Sequence, residues 1–107
     1  MTLRIRRECI QLCHDLHPII RQIARFDRGL ADQLRRAVQS IGLNLAESDG
    51  VSGGNRRQRR LTALGSARET ATALAIAVAF SYIRPLRFVI RNRVNHIIGA
   101  IVLLTRR

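Results

Sequence analysis

From Leu3 onward the apolar residues Ile5, Cys9, Leu12, Leu16, Ile19, Ile23 and Phe26 alternate four and three positions apart. That is the repeat of a helix that packs on its neighbours at a shallow angle, and it predicts a first helix from about Leu3 to Phe26. Pro18 lies inside it, where proline removes a backbone hydrogen bond and crowds the preceding turn. Because the stripe stays in phase across Pro18, a kink is expected rather than a break, and Asp27-Arg28-Gly29 then supplies a turn. Leu34, Val38, Ile41 and Leu45 mark the core face of a second helix. Beside them runs a stripe of small and polar residues, Gln33, Ala37, Ser40, Asn44 and Glu47. Such a face either meets solvent or joins a satisfied polar network between closely packed helices.

Glycines and polar turn formers crowd the stretch from Ser48 to Asn55, which is therefore predicted to be a loop. Asn55 is expected to cap a third helix reaching about Tyr82. Ala71 to Phe80 is apolar all round, the pattern of a helix buried on several sides. Pro85 is placed at the start of a fourth helix, where its fixed φ is helpful, with Ile90, Val94, Ile97, Ile101 and Leu104 as the inward stripe. Ile98, Val102 and Leu103 remain apolar beyond that stripe. Such excess points to an oligomer contact, since monomers rarely leave large apolar patches bare.

At 107 residues with 4% aromatics, the chain is read as one all-α domain over 1–107 with aliphatic and alanine packing. The expected architecture is a single antiparallel four-helix bundle, up-down-up-down, that oligomerises. The N-terminal segment has no apolar h-region. The longest nearly apolar run, Ala71 to Ile83, is shorter than the ~20 residues of a membrane span. A soluble, cytoplasmic protein without a membrane partner is the expectation.

Charge sharpens the picture. There are 19 arginines, no lysine and 7 acids, for a net charge of +12, and the excess is spread over the helices rather than gathered in a tail. Such a field attracts polyanions, of which nucleic acid is the abundant one inside a cell. Codon usage in a GC-rich genome is the bland account of the all-arginine choice; bidentate phosphate binding by guanidinium is the functional one, and the two are compatible. Arg56, Arg57, Arg59 and Arg60 fall in the first turns of the third helix, where each cation is disfavoured by about 0.3 to 1 kcal/mol. Helix N-termini accept phosphate, so this cluster is a candidate nucleic-acid site, with Arg84, Arg87, Arg91 and Arg93 as a second. No aromatic residues interleave the first cluster, so the expected mode is backbone contact with little sequence preference.

Other chemistry is sparse. Cys9, Cys13 and His17 share roughly one helical face, but reduced cysteines on an apolar stripe behave as small core residues, and no second ligand pair is present. His14 and His96 are isolated. Glu47 and Glu69, near Ser40, Asn44 and Ser66, resemble a carboxylate pair. Beside Arg35, Arg36 and Arg68 they are read as partly buried ion pairs fixing helix register, in a structural polar network of Arg36, Ser40, Asn44, Glu47, Ser66 and Glu69. No nucleotide-binding, hydrolase or metalloprotease motif appears, and the chain is read as non-enzymatic, without metal or cofactor.

The residues Gln33-Leu-Arg-Arg-Ala37, Ser40-Ile41, Asn44-Leu-Ala-Glu47 and Gly65-Ser66 with Glu69 resemble the signature of a bacterial four-helix-bundle family. Its members include proteins encoded in intervening sequences of 23S ribosomal RNA genes, and the accessory variability proteins (Avd) of diversity-generating retroelements are related. One departure stands out: the family usually has glycine directly after the Ala-Glu pair, and this chain has Ser48-Asp49-Gly50. The resemblance implies a homopentamer and, for the Avd branch, a reverse transcriptase as further partner. Two readings of function follow. One is a small basic accessory protein that binds RNA or DNA; the other is a structural or scaffolding oligomer whose positive surface docks an acidic protein without nucleic acid.

Overall fold

The computed structural model describes residues 3–106, which form four α-helices: α1 (Leu3–Ala24), α2 (Arg28–Asp49), α3 (Gly53–Ala79) and α4 (Phe88–Thr105). Helix α1 packs on α2 and α4, and α3 packs on the same two, so each helix has two main neighbours. The molecule is 42 Å along its longest axis, about the length of α3 at 1.5 Å per residue. Cross-helix contacts run in opposite sequence order. Gln33 meets Glu69, Ser40 meets Ser66 and Glu47 meets Arg59.

Most of each predicted stripe lies in the core. Leu12, Leu16, Ile23, Leu34, Ile41, Leu45, Ile97 and Ile101 are almost wholly buried, beside Leu74 and the alanines Ala63, Ala67 and Ala77. Small residues on α3 let α2 approach closely, and the α2–α3 pair is the most extensive in the bundle. Burying each leucine or isoleucine contributes about 1.5 to 3 kcal/mol before chain entropy is charged against it.

Helix ends depart from the sequence reading in ways that have physical causes. Asp27 caps α2 by accepting a hydrogen bond from the Leu30 amide at 2.9 Å, so Arg28 and Gly29 are already helical and the link is shorter than expected. Helix α3 begins at Gly53 with Ser52 at the cap position, not Asn55, and no side chain closes its N-terminus. It ends at Ala79 rather than Tyr82. The Tyr82 amide donates to Ala77 and that of Ser81 to Val78, both at 2.9 Å, with Ser81 at φ 59°; this pair of bonds is a Schellman cap in which serine takes the place usually given to glycine. Pro85 does not begin α4, which starts three residues later at Phe88. Helix α1 continues through Pro18.

The late half of α3 is not buried on several sides. Ala73, Leu74 and Ala77 face the core, while Ala75, Ile76, Ala79 and Phe80 are exposed, because α3 has only α2 and α4 as substantial neighbours. Phe26, placed on the core stripe by its spacing, is likewise exposed, since α1 ends two residues before it. Helix α4 is long and apolar enough, by length and composition, to cross a membrane, which the run-length argument had missed. Here its Val94, Ile97, Ile101 and Leu104 pack on the other helices. An ion pair at Arg93 also ties it to α1, as suits a bundle helix.

Candidate nucleic-acid interface

The polar stripe of α2 lines an open groove against α3 with a volume of about 540 Å³, flanked by Gln33, Arg36, Ala37, Ser40, Ser66 and Glu69. At its centre is the network expected between closely packed helices. The Ser66 hydroxyl donates to Ser40 Oγ at 2.7 Å, and Asn44 Nδ2 donates to both the hydroxyl and the carbonyl of Ser40 at 2.9 Å. The acids stand outside that centre. Glu69 is exposed and, among the described residues, accepts a single 3.4 Å bond, from Gln33, and Glu47 pairs with Arg59 at 3.0 Å with both side chains about half exposed. Arg36 belongs to neither: it joins Arg35 in holding Asp32, each at 2.6 Å. The hydrogen bond from Arg35, helped by the charge of Arg36, keeps the Asp32 carboxyl below its ordinary range. The expectation of partly buried ion pairs at Glu47 and Glu69 is therefore corrected. Glu69→Ala should shift stability by less than about 0.5 kcal/mol, as for a surface residue, in urea unfolding; a loss several times larger would restore the buried-pair reading.

Arg56, Arg57 and Arg60 have a local task that the sequence did not show. Arg56 Nε donates to the carbonyls of Ser48 at 3.2 Å and Val51 at 2.9 Å. Arg57 donates to the Thr105 carbonyl at 2.6 Å and Arg60 to that of Leu104 at 3.3 Å. The unpaired carbonyls at the ends of α2 and α4 thus meet guanidiniums from the start of α3, and the partial negative charge of two C-termini offsets the cost of cations at an N-terminus. Arg60 Nε is itself buried and lacks a partner among the described residues. Cations here are explained by the neighbouring helix ends, which weakens their placement as a functional signal.

Arg93 is a correction of a different kind. Its Nε lies 2.8 Å from Asp15 Oδ2 and its Nη1 3.3 Å from both oxygens of Glu8, with all three side chains a quarter exposed or less. It clamps α4 to α1 and is not offered to a ligand. Arg84, Arg87 and Arg91 differ: all are exposed, and none has an acidic partner or a carbonyl acceptor among the described residues. Arg84 and Arg87 line a cleft of about 560 Å³ with His14, Pro18 and Gln22.

Cys9 is buried and Cys13 exposed. Burial, then the charges of Cys13 and Glu8, push the Cys9 thiol up to about 11, which makes it an inert packing group. Among the described residues no cluster of three His, Cys, Asp or Glu side chains could hold a metal ion.

The four-helix order has its counterpart among known proteins. The sequence profile of the 23S rRNA-intervening sequence protein family matches residues 1–101. The chain belongs to that family. No curated protein matches the sequence. A crystal structure of a protein of unknown function from the S23 ribosomal protein family of Bacteroides thetaiotaomicron VPI-5482 has the same fold, with a TM-score of 0.82 over 96% of this chain and 99% of that one. The two are 17% identical, so the likeness concerns the fold alone. In this fold the Ser40–Ser66 hydroxyl pair joins α2 to α3, and Asn44 braces Ser40 from within α2.

Sequence reasoning missed the grouping of aromatic rings at one end of the bundle. Phe26 and Tyr82 stack with centroids 5.3 Å apart, and Phe80 stacks on Tyr82 at 5.6 Å. The spacing instead assigns Phe26 to the core stripe of α1 and Phe80 to the buried run of α3. The residues expected at an oligomer contact do not form one bare patch. Ile98 and Val102 pack partly on the chain's own core and Leu103 stays exposed. Leu3, Ile10 and Leu43, all more than half exposed, line a groove of about 910 Å³ between α1 and α2.

Proposed function

We propose that this 23S rRNA-intervening sequence family member is a non-enzymatic nucleic-acid-binding protein. It would act as a closed homo-oligomer of antiparallel up-down-up-down bundles and grip the phosphate backbone of RNA or DNA with arginine. The observation that carries the reading is the set Arg84, Arg87 and Arg91. These guanidiniums are exposed and without acidic partners among the described residues, in a stretch, residues 71–107, that contains no acid at all. Cations left unneutralised at a surface attract phosphate, and the sum over many of them sets the affinity. Arg59, half exposed and held only by an exposed glutamate, is a further contact within reach of exchange, whereas Arg56, Arg57 and Arg60 contribute field more than free donors. The exposed apolar groove between α1 and α2 supports self-association. A pentamer is the number the family resemblance implies, and a reverse transcriptase is a partner only through the Avd relationship.

Size-exclusion chromatography with light scattering and dual-wavelength absorbance tests both parts together. The expected result at low salt is a particle several times the 12.1 kDa chain mass, with a high 260/280 nm ratio that falls in high salt. A clean protein spectrum at low salt favours the acidic-partner scaffold instead, and a monomer at micromolar concentration removes the oligomer.

A further inference from the structure

Every phenylalanine of this chain lies outside the core, and its one tyrosine, Tyr82, is only partly buried against it. The sequence contains three phenylalanines, one tyrosine and no tryptophan, and the buried residues are aliphatic, alanine, cysteine, serine and threonine. Phe26, Phe80 and Phe88 are 61%, 67% and 69% exposed. Phe26 follows α1, Phe80 and Tyr82 follow α3, and Phe88 opens α4, so the rings gather at one end of the bundle. Large aromatic side chains are ordinarily the first residues a core takes in. Their placement here calls for another explanation.

Three of them are ordered. Tyr82 lies between the other two, parallel to Phe26 within 8° and to Phe80 within 21°, and its carbonyl accepts a 3.2 Å bond from Gln22. The backbone beneath is fixed by the Schellman bonds of Ser81 and Tyr82. One stacked pair, Phe26 on Tyr82, would suffice to tie the α1–α2 link to the end of α3. Phe80 adds a third ring that remains two-thirds exposed, and its burial explains little of its presence. Arginines flank this stack in sequence: Arg25 precedes Phe26, and Arg84 follows Tyr82 by two positions, both exposed. Asp27, the nearby acid, is occupied as the α2 cap.

We infer that the Phe26–Tyr82–Phe80 stack, with Arg25 and Arg84 beside it, is a platform on which unpaired nucleobases stack, so that the protein takes single strands in preference to duplex. An ordered row of rings whose two outer members are exposed offers π-faces to any base, and adjacent guanidiniums hold the phosphates between bases. A duplex keeps its bases stacked on one another and cannot use such a surface. The inference rests on the nucleic-acid reading above and names the form of nucleic acid.

Tyr82 is the only tyrosine and there is no tryptophan, so its fluorescence reports on the platform without a label. Titration with a single-stranded oligonucleotide and with a duplex of the same length should quench it strongly with the first and weakly with the second. Phe80→Leu and Phe26→Leu, at positions more than half exposed, should each weaken single-strand binding by about 5- to 150-fold. Because stacking releases no counterions, the log-log salt slope should stay as it is. Duplex binding should barely move. If the two variants bind single strands as the natural chain does, or if single strand and duplex bind equally, the platform is refuted while the nucleic-acid reading stands. Absence of binding to either form refutes that reading itself. A changed particle mass in the variants, with binding altered only in step, would show the rings to be an oligomer contact and overturn the inference.

Discussion

Arg93→Ala is expected to remove about 2 to 3 kcal/mol of stability, measured by urea unfolding, and to lower the melting temperature by roughly 8 to 15 °C. The reason is what the substitution leaves behind. Glu8 and Asp15, 25% and 16% exposed at their side chains, lie along one face of α1 and share a single cation from α4. Breaking a well-buried pair costs about 3 to 5 kcal/mol because the orphaned charge stays desolvated; residual solvent access at both carboxylates places this site below that range. His96 Nδ1, 3.9 Å from Glu8 and 42% exposed, is too distant and too wet to replace the guanidinium. The α1–α4 contact is also the least extensive of the four helix pairings, so the clamp carries a large share of it. A double-mutant cycle with Asp15→Asn isolates the pair from the loss of the arginine stem. Coupling below about 0.5 kcal/mol, the scale of an exposed surface pair, would reduce the clamp to decoration and return Arg93 to the set of candidate phosphate ligands.

That clamp also shows where sequence reading stops. Core stripes were legible because burial repeats with helical period: Leu12, Leu16, Leu34, Ile41, Ile97 and Ile101 were all placed inward by spacing alone and are all buried. The Ser40–Asn44–Ser66 network was legible only in part: the small polar stripe of α2 allowed solvent or a network, and Arg36, Glu47 and Glu69, counted with it, pair elsewhere. Arg93 and Asp15, in contrast, are 78 positions apart. Nothing periodic marks a charge on one helix as the partner of a charge on another, and the arginine was consequently grouped with its neighbours in sequence. The same blindness affected Arg56, Arg57 and Arg60. Their position at the start of α3 was read correctly as costly, but the carbonyl ends of α2 and α4 that offset the cost are visible only once the helices are packed. Helix ends failed for a local reason. A serine at φ 59° after α3 gives no glycine signal, and the chain was carried three residues too far.

Arg84, Arg87 and Arg91 replaced together by glutamine should give a combination that a purely structural surface does not. Stability should rise slightly while nucleic-acid binding falls. Arg87 occupies the cap position of α4 and Arg91 lies one turn inside it; with no acid in that first turn, the cations face the positive end of the helix dipole at a cost of about 0.3 to 1 kcal/mol each at low salt. At the opposite end of the bundle that cost is offset by neighbouring carbonyls; here no such acceptor meets them among the described residues. Removing the charges therefore relieves the helix, and a stability gain of up to about 1 kcal/mol is expected after solvent screening of exposed groups. Binding should weaken for every sequence alike, and the log-log salt slope should flatten by roughly 2 to 2.7, three contacts at about 0.7 to 0.9 each. The measurement is oligonucleotide affinity at several salt concentrations, with the oligomer mass checked by light scattering. An unchanged slope in a variant of natural fold and mass would move the phosphate contacts to Arg59 and its neighbours. A loss of stability would mean that these arginines hold something in the fold, and the case for keeping costly cations at the start of α4 for the sake of a polyanion would lapse.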